Sequence, residues 1–320
     1  MDALQSIGNW WMWSGFGVFV LLMLAIDMFL LDRNGNQKVS AKEALTWSLV
    51  WFALAMLFGA VLWGWLDHTA GREIADTKVM EYLTGYLLEK TLAMDNIFVF
   101  VMIFSYFAVP LEFQKRILVY GVLGAIILRA LMIVMGAWLI AQFHWVLYVF
   151  GAFLLTTGIK MFVFADQEPD LAKNPLLKWV RKHMRITDDY HGDRFWIMDK
   201  GVRWFTPMFL VLILIEFSDV IFAMDSIPAI FAITNDPFIV FTSNIFAILG
   251  LRALYFLLAD MAERFHLLKF GLAVVLMFVG TKMLIAEWFK IPVAVSLGVV
   301  VAVIGTSILL SLISTRNKQH

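Results

Sequence analysis

Two short stretches place acids where a hydrocarbon setting should exclude them. Residues 89–96 read Glu-Lys-Thr-Leu-Ala-Met-Asp-Asn and residues 219–226 read Asp-Val-Ile-Phe-Ala-Met-Asp-Ser, each inside a long apolar run. In both copies a carboxylate precedes an Ala-Met-Asp triplet that is followed by a small polar residue. An ionised group at mid-membrane costs roughly 2.5 to 3.5 kcal/mol on insertion scales, so a chain that carries this pattern twice is expected to use it. The candidate ligands for a metal ion are Glu89, Asp95, Glu216, Asp219 and Asp225. Asp27, Asn96, Ser226 and Asn244 stand behind them as secondary or coupling oxygens.

Carboxylate and amide oxygens in a chain without Cys suit a hard divalent cation such as Mg²⁺, Ca²⁺ or Mn²⁺. Zinc and copper sites recruit imidazole or thiolate instead. Met94 and Met224 flank the two aspartates, and a thioether would favour Mn²⁺ over its harder rivals, although packing is the plainer role for both. His144 and His266 fall at helix ends and read as interfacial. Cation ligation needs deprotonated carboxylates, so metal and protons compete for the same groups, and an exchanger follows from that competition. Lys90, Arg129, Arg252, Lys160 and Lys282 share the apolar runs and read as charge-neutralising partners. The plain structural alternative is helix-to-helix ion pairing, but buried pairs stabilise little because desolvation offsets the Coulomb gain.

At about 100° per residue, Glu216 and Asp219 share a helix face, whereas Asp219 and Asp225 diverge by about 120°, as do Glu89 and Asp95. One regular helix cannot aim both acids of a copy at one ion with ease. Pro228 lacks an amide donor and frees the carbonyl of Met224, which predicts an interruption near Asp225–Pro228. The expected assembly has Asp95 and Asp225 meeting across a pseudo-twofold axis, with Glu89, Asp219 and Glu216 above and below.

The elements that must hold these groups are membrane spans. The chain is 62% apolar with zero net charge and no Cys, well above the apolar share of soluble domains. This composition excludes disulfides, thiolate metal sites and thiol redox chemistry and gives no attraction to nucleic acid. Nine apolar runs approach the length of a spanning helix, near 14–31, 44–66, 82–107, 117–140, 145–165, 205–232, 239–259, 267–288 and 292–313. The first follows a Trp-rich start without a basic segment and reads as a retained span. The one long connection, 166–204, contains an amphipathic piece from Leu176 to Arg185. Loop Lys and Arg gather on one side, with only Arg72, Lys78 and Lys290 on the other, so the N-terminus is expected outside and the C-terminus in the cytoplasm.

The repeat extends past the acids. Arg129-Ala130-Leu131 matches Arg252-Ala253-Leu254, Phe143-His144 matches Phe265-His266, and Gly158-Ile159-Lys160-Met161 matches Gly280-Thr281-Lys282-Met283. Each unit has three spans, 3–5 and 6–8, and an odd number of spans inverts one unit relative to the other, as in secondary transporters. The expected fold is all-α and polytopic. Residues 1–81 form two peripheral spans, 82–165 the first unit, 166–204 a cytoplasmic loop, 205–288 the second unit and 289–320 a last span and tail.

The acidic motifs, the Ser-Ile-Pro that follows the second, and Ala25-Ile26-Asp27, Tyr120-Gly121-Val122-Leu123-Gly124, Ser243-Asn244 and Ser296-Leu297-Gly298-Val299 together resemble the TerC family, and within it the alkali-inducible bacterial branch. That resemblance implies an inner-membrane transporter tied to manganese homeostasis, alkaline pH and tellurite resistance, which moves Mn²⁺ out of the cytoplasm as substrate, with no resident cofactor. It carries the ligand role onto Glu89, Asp95, Glu216, Asp219 and Asp225, and less directly onto Asp27. The Ala-Met-Asp methionine departs from the Val common in that family, which weakens a ligand role for it. The expected partners are Mn²⁺, protons and the bilayer, with the oligomeric state open and no enzymatic activity. Rival readings are an exporter of another cation or an amino acid, an intramembrane aspartyl protease built on Asp95 and Asp225, and a non-transporting scaffold in metal or tellurite stress.

Overall fold

The computed structural model describes residues 6–33, 40–143, 145–163, 175–258, 267–289 and 291–318, with backbone alone at 27–33, Ala41, Asp95, Phe98, Leu312 and 315–318. His144 and His266 lie outside the described residues, as do the side chains of Asp27 and Asp95. The chain runs α1 (Trp10–Arg33), α2 (Ala41–Thr69), α3 (Arg72–Tyr106), α4 (Leu111–Gln142) and α5 (Val146–Val163). A short α6 (Pro175–His183) and a hairpin of β1 (Trp196–Asp199) and β2 (Val202–Phe205) follow. The remainder is α7 (Pro207–Phe231), α8 (Pro237–Leu249), α9 (Leu251–Leu258), α10 (Leu268–Leu284) and α11 (Val293–Lys318).

Length and composition qualify five of these helices as membrane spans, namely α2, α4, α5, α7 and α11, and a sixth if α8 and α9 count as one bent span. The longest helix, α3, has 35 residues and a length of about 52 Å, but it carries Glu73, Asp76, Lys78, Glu81, Glu89, Lys90 and Asp95. It is the axial element. Its side chains enter all three apolar clusters: Tyr82 joins Phe16, Trp51 and Phe246; Leu88 joins Leu154, Ile227 and Val279; Phe100 joins Leu118, Leu210 and Leu254.

Local sequence accounts for several helix starts. Ser40 accepts from the amide of Glu43 at 3.2 Å to begin α2, half of a capping box. Asp236 accepts from the amide of Phe238 at 3.0 Å to begin α8, with Pro237 at the first helical position, where no amide donor is needed. The amphipathic helix expected after Leu176 is α6, which buries Leu177 and Val180 and leaves Lys178, Arg181 and Lys182 exposed.

Three expectations need correction. The fold is not wholly helical: the long loop contains an antiparallel hairpin that pairs Asp199 with Val202. Lys200 and Gly201 make its turn with φ of 48° and 76°, both positive as a tight hairpin of this twist demands. Pro228 does not interrupt its helix either. It lies inside α7, which runs unbroken to Phe231; a membrane helix carries a proline where neighbouring helices and polar side chains re-satisfy the freed backbone group. The break lies instead in the span expected at 239–259. There α8 and α9 meet at Gly250 with a bend of 42°.

Helices α5 and α10 approach backbone to backbone. A Cβ on Gly280 would lie 2.6 Å from the amide nitrogen of Leu155 and 2.7 Å from the carbonyl oxygen of Gly151. One on Gly158 would lie 2.8 Å from the carbonyl oxygen of Ala273. Small residues of this kind let membrane helices pack at close range.

Candidate functional site

Arg129 is the centre of the polar interior. It sits in the middle of α4 and is 1% exposed. Its Nη1 donates to Oε1 of Glu89 on α3, and to Ser226 Oγ on α7 and Asn244 Oδ1 on α8, the last two at 3.0 Å each. Its Nη2 donates to Oδ1 of Asp219 at 3.2 Å, with Nε reaching Oδ2 at 3.5 Å. Asn244 Nδ2 donates in turn to Glu89 Oε2 at 3.3 Å. Four helices thus converge on one guanidinium, whose planar fork suits two carboxylates at once. One cation faces two acids, Glu89 and Asp219, both buried.

Glu216 and Asn96 flank this knot. The Glu216 carboxyl lies against Gly124 of α4, where any Cβ would collide with it, and Asp219 is its charged neighbour. Its Oε2 is buried with no hydrogen-bond partner. Asn96 is 1% exposed and neither its Oδ1 nor its Nδ2 has a partner. Buried polar groups are almost always paired, so these atoms leave hydrogen-bonding capacity unused beside the knot. Between α3, α4, α7 and the α8–α9 bend lies a cavity of about 10 Å³, lined in part by Gly121, Val122, Asp219 and Leu251.

Asp225 points elsewhere. Its neighbours are the Thr157 hydroxyl and the Lys160 ammonium, both from α5. The convergence of Asp95 with Asp225 concerns a side chain outside those described. Among the described residues, no three acidic or imidazole side chains gather to hold a metal ion. Met224 is 50% exposed, on the outer side of α7.

The remaining bases have separate roles. Lys90 donates to the carbonyl of Ala247 at 3.1 Å, at the end of α8, where a cation complements the helix dipole. Lys282 donates to Ser296 Oγ at 2.9 Å and has Glu81 as its charged neighbour. Arg252 opens α9 and lies beside Lys115.

A second polar network closes the end at which α3 begins. Buried Glu81 accepts from Lys78 at 2.9 Å and from Thr234 at 2.5 Å. Asp236 accepts from the backbone of Ile7 at 2.9 Å and from Ser6 at 3.2 Å, tying the N-terminal segment to the start of α8. Sequence reasoning passed over this network, along with Thr157, and met Gly124 only within the stretch Tyr120 to Gly124. The Thr234-Asn235-Asp236-Pro237 turn was the available signal.

The chain matches the integral membrane protein TerC family over residues 74–319. It is 56% identical over 301 residues to Alx of Escherichia coli strain K12, covering 94% of each chain. It is 53% identical over 308 residues to Alx of Salmonella typhi, covering 96% of each. The names of both relatives call them membrane-bound redox modulators. A membrane protein of Myxococcus xanthus is 46% identical over 317 residues, covering 99% of this chain and 97% of that one. No solved structure matches.

Proposed function

The chain belongs to the integral membrane protein TerC family, and we propose that it exports a hard divalent cation, Mn²⁺ foremost, in exchange for protons. The observation that carries this reading is the double grip of Arg129 on Glu89 and Asp219. A guanidinium bridges two buried acids, as a divalent ion would on this reading, beside an unsatisfied Glu216 oxygen and an unpartnered Asn96. A cation that enters competes with Arg129 for carboxylate oxygens, and protons compete with both.

On this reading nine spans cross the membrane: α1 to α5, α7, the bent α8–α9 pair, α10 and α11. Two inverted units, α3–α5 and α7–α10, meet at the acids. The protein lies in a bacterial inner membrane with its N-terminus periplasmic and its C-terminus cytoplasmic, because Lys and Arg crowd the α6 side. The site residues are Glu89, Glu216 and Asp219 at the knot, Asp95 on the same helix as Glu89, and Asp225, which stands apart beside Lys160 of α5. The small cavity beside Asp219 favours an ion over an amino acid, since it has about the volume of one water. The redox role in the relatives' names, carried to a chain without Cys, would run through the cation moved.

The test is Mn²⁺ flux in proteoliposomes with an internal pH dye, wild type against Asp225→Asn and Glu89→Gln. Metal flux with opposing proton movement in the wild type, lost in both variants, is the expected result. Flux of wild-type size in both variants removes the acidic site, and no Mn²⁺ flux in the wild type leaves another substrate or a scaffold.

A further inference from the structure

The two three-helix units place matching residues in unequal settings. Arg129 and Arg252 occupy matching Arg-Ala-Leu triplets, Glu89 matches Asp219, and Asn96 matches Ser226. Arg129 holds both acids, one from each unit, and also donates to Ser226. Arg252 lies past the bend, beside Lys115, which in turn has Glu43 as its neighbour. The residue that stands to Arg252 as Ser226 stands to Arg129 is Asn96. That amide is fully buried and makes no hydrogen bond, which is destabilising and calls for an explanation.

The levels agree. The turn at Thr234 and helix α8 run alongside α3, joined to it by Thr234 to Glu81, Asn244 to Glu89 and Lys90 to Ala247. Continued one step, Asn96 comes level with the start of α9, where Leu251 and Leu254 share a cluster with Ala93, Ile97 and Phe100. The small cavity between Leu251 and Asp219 lies on the route.

We infer that Arg252 is the second counter-cation of the acid pair: in the alternate access state it moves onto Asn96, Glu89 and Asp219 while Arg129 lets go. This rests on the inverted-repeat transport reading above. The motion is a turn of α9 about Gly250, where the helix is already broken. A cation enters by displacing one arginine and is expelled when the other takes its place. The unsatisfied amide of Asn96 is then the vacant half of a socket that Ser226 fills for Arg129.

The chain has no Cys, so Val122→Cys supplies a single reporter in the cavity. In reconstituted vesicles it is labelled with a membrane-impermeant maleimide from one face at a time, with and without Mn²⁺, and flux is measured in parallel. The Val122→Cys protein, otherwise unchanged, is expected to label from both faces. Arg252→Gln and Asn96→Ala should each lose labelling from one face by tenfold or more and lose flux, while Arg129→Gln loses the opposite face. Asn96→Ala should also melt no lower than wild type, since it removes an unpaired amide, an outcome that separates lost switching from lost folding. If Arg252→Gln does not insert, Asn96→Ala decides alone. Two-sided labelling and normal flux in Asn96→Ala overturn the inference, as does a bias of both arginine variants to the same face. A wild type that moves no Mn²⁺, with the otherwise unchanged Val122→Cys protein labelled from one face only, overturns the transport reading and this inference with it.

Discussion

Arg129 shows how much one side chain decides inside a membrane. Removing one partner of a buried pair leaves an uncompensated charge and costs about 3–5 kcal/mol. Arg129→Gln should therefore lower the melting temperature in detergent, because Glu89 and Asp219 then face each other without their shared donor. Mn²⁺ should raise the melting temperature of this variant more than that of wild type, since it binds where the guanidinium was and stabilises the folded state by mass action. Equal shifts in both proteins would mean that arginine and metal do not share a place. The acids were legible in the sequence because carboxylates in apolar runs are costly enough to stand out. Which base would serve them was not legible. Lys90 is next to Glu89 in sequence yet serves the Ala247 carbonyl, since successive helix positions point about 100° apart.

At the scale of elements, the sequence pointed to a break at Pro228 and the fold has it at Gly250. Proline is a strong local signal, but a membrane helix packed among neighbours can carry one unbroken, and α7 runs on to Phe231. Glycine within an apolar run reads as tolerated. The reason it matters at 250 is long-range: a Cβ there would lie 2.8 Å from Lys90 Nζ and 3.0 Å from Trp51 Cβ. Pro228→Ala should therefore retain transport and gain up to about 3 kcal/mol of stability, whereas Gly250→Ala should disturb the Lys90 contact and slow flux. Flux assays on the two variants side by side check this, and the reverse ranking would restore the break to α7. Helix starts were more readable, because the Ser40–Glu43 and Asp236–Pro237 signals are local chemistry.

At the scale of the molecule, α5 and α10 are fastened to each other at backbone range. Gly280→Ala drives a methyl into the backbone of Leu155 and Gly151 and should cost about 1–3 kcal/mol as overpacking. Gly15→Ala meets nothing within 4 Å and should be neutral or stabilising. Thermal unfolding of both variants checks this, and equal behaviour would mean that the α5–α10 contact gives way easily. Helices α5 and α10 match in sequence at Gly158 and Gly280, so this fastening was half visible as a repeat, while the closeness itself was not. The shortage of bases at the centre has a further consequence. On the export reading, a site in which Glu89, Asp219 and Arg129 all carry charge sums to one negative charge, and a membrane voltage acts on such a charge with about 2.3 kcal/mol per 100 mV. A cell interior that is electrically negative pushes an empty, charged site outward and opposes its return for another load. A proton taken up on the outer side cancels that charge and removes the opposition, so that on the export reading the electric field itself makes the returning carrier wait for its proton.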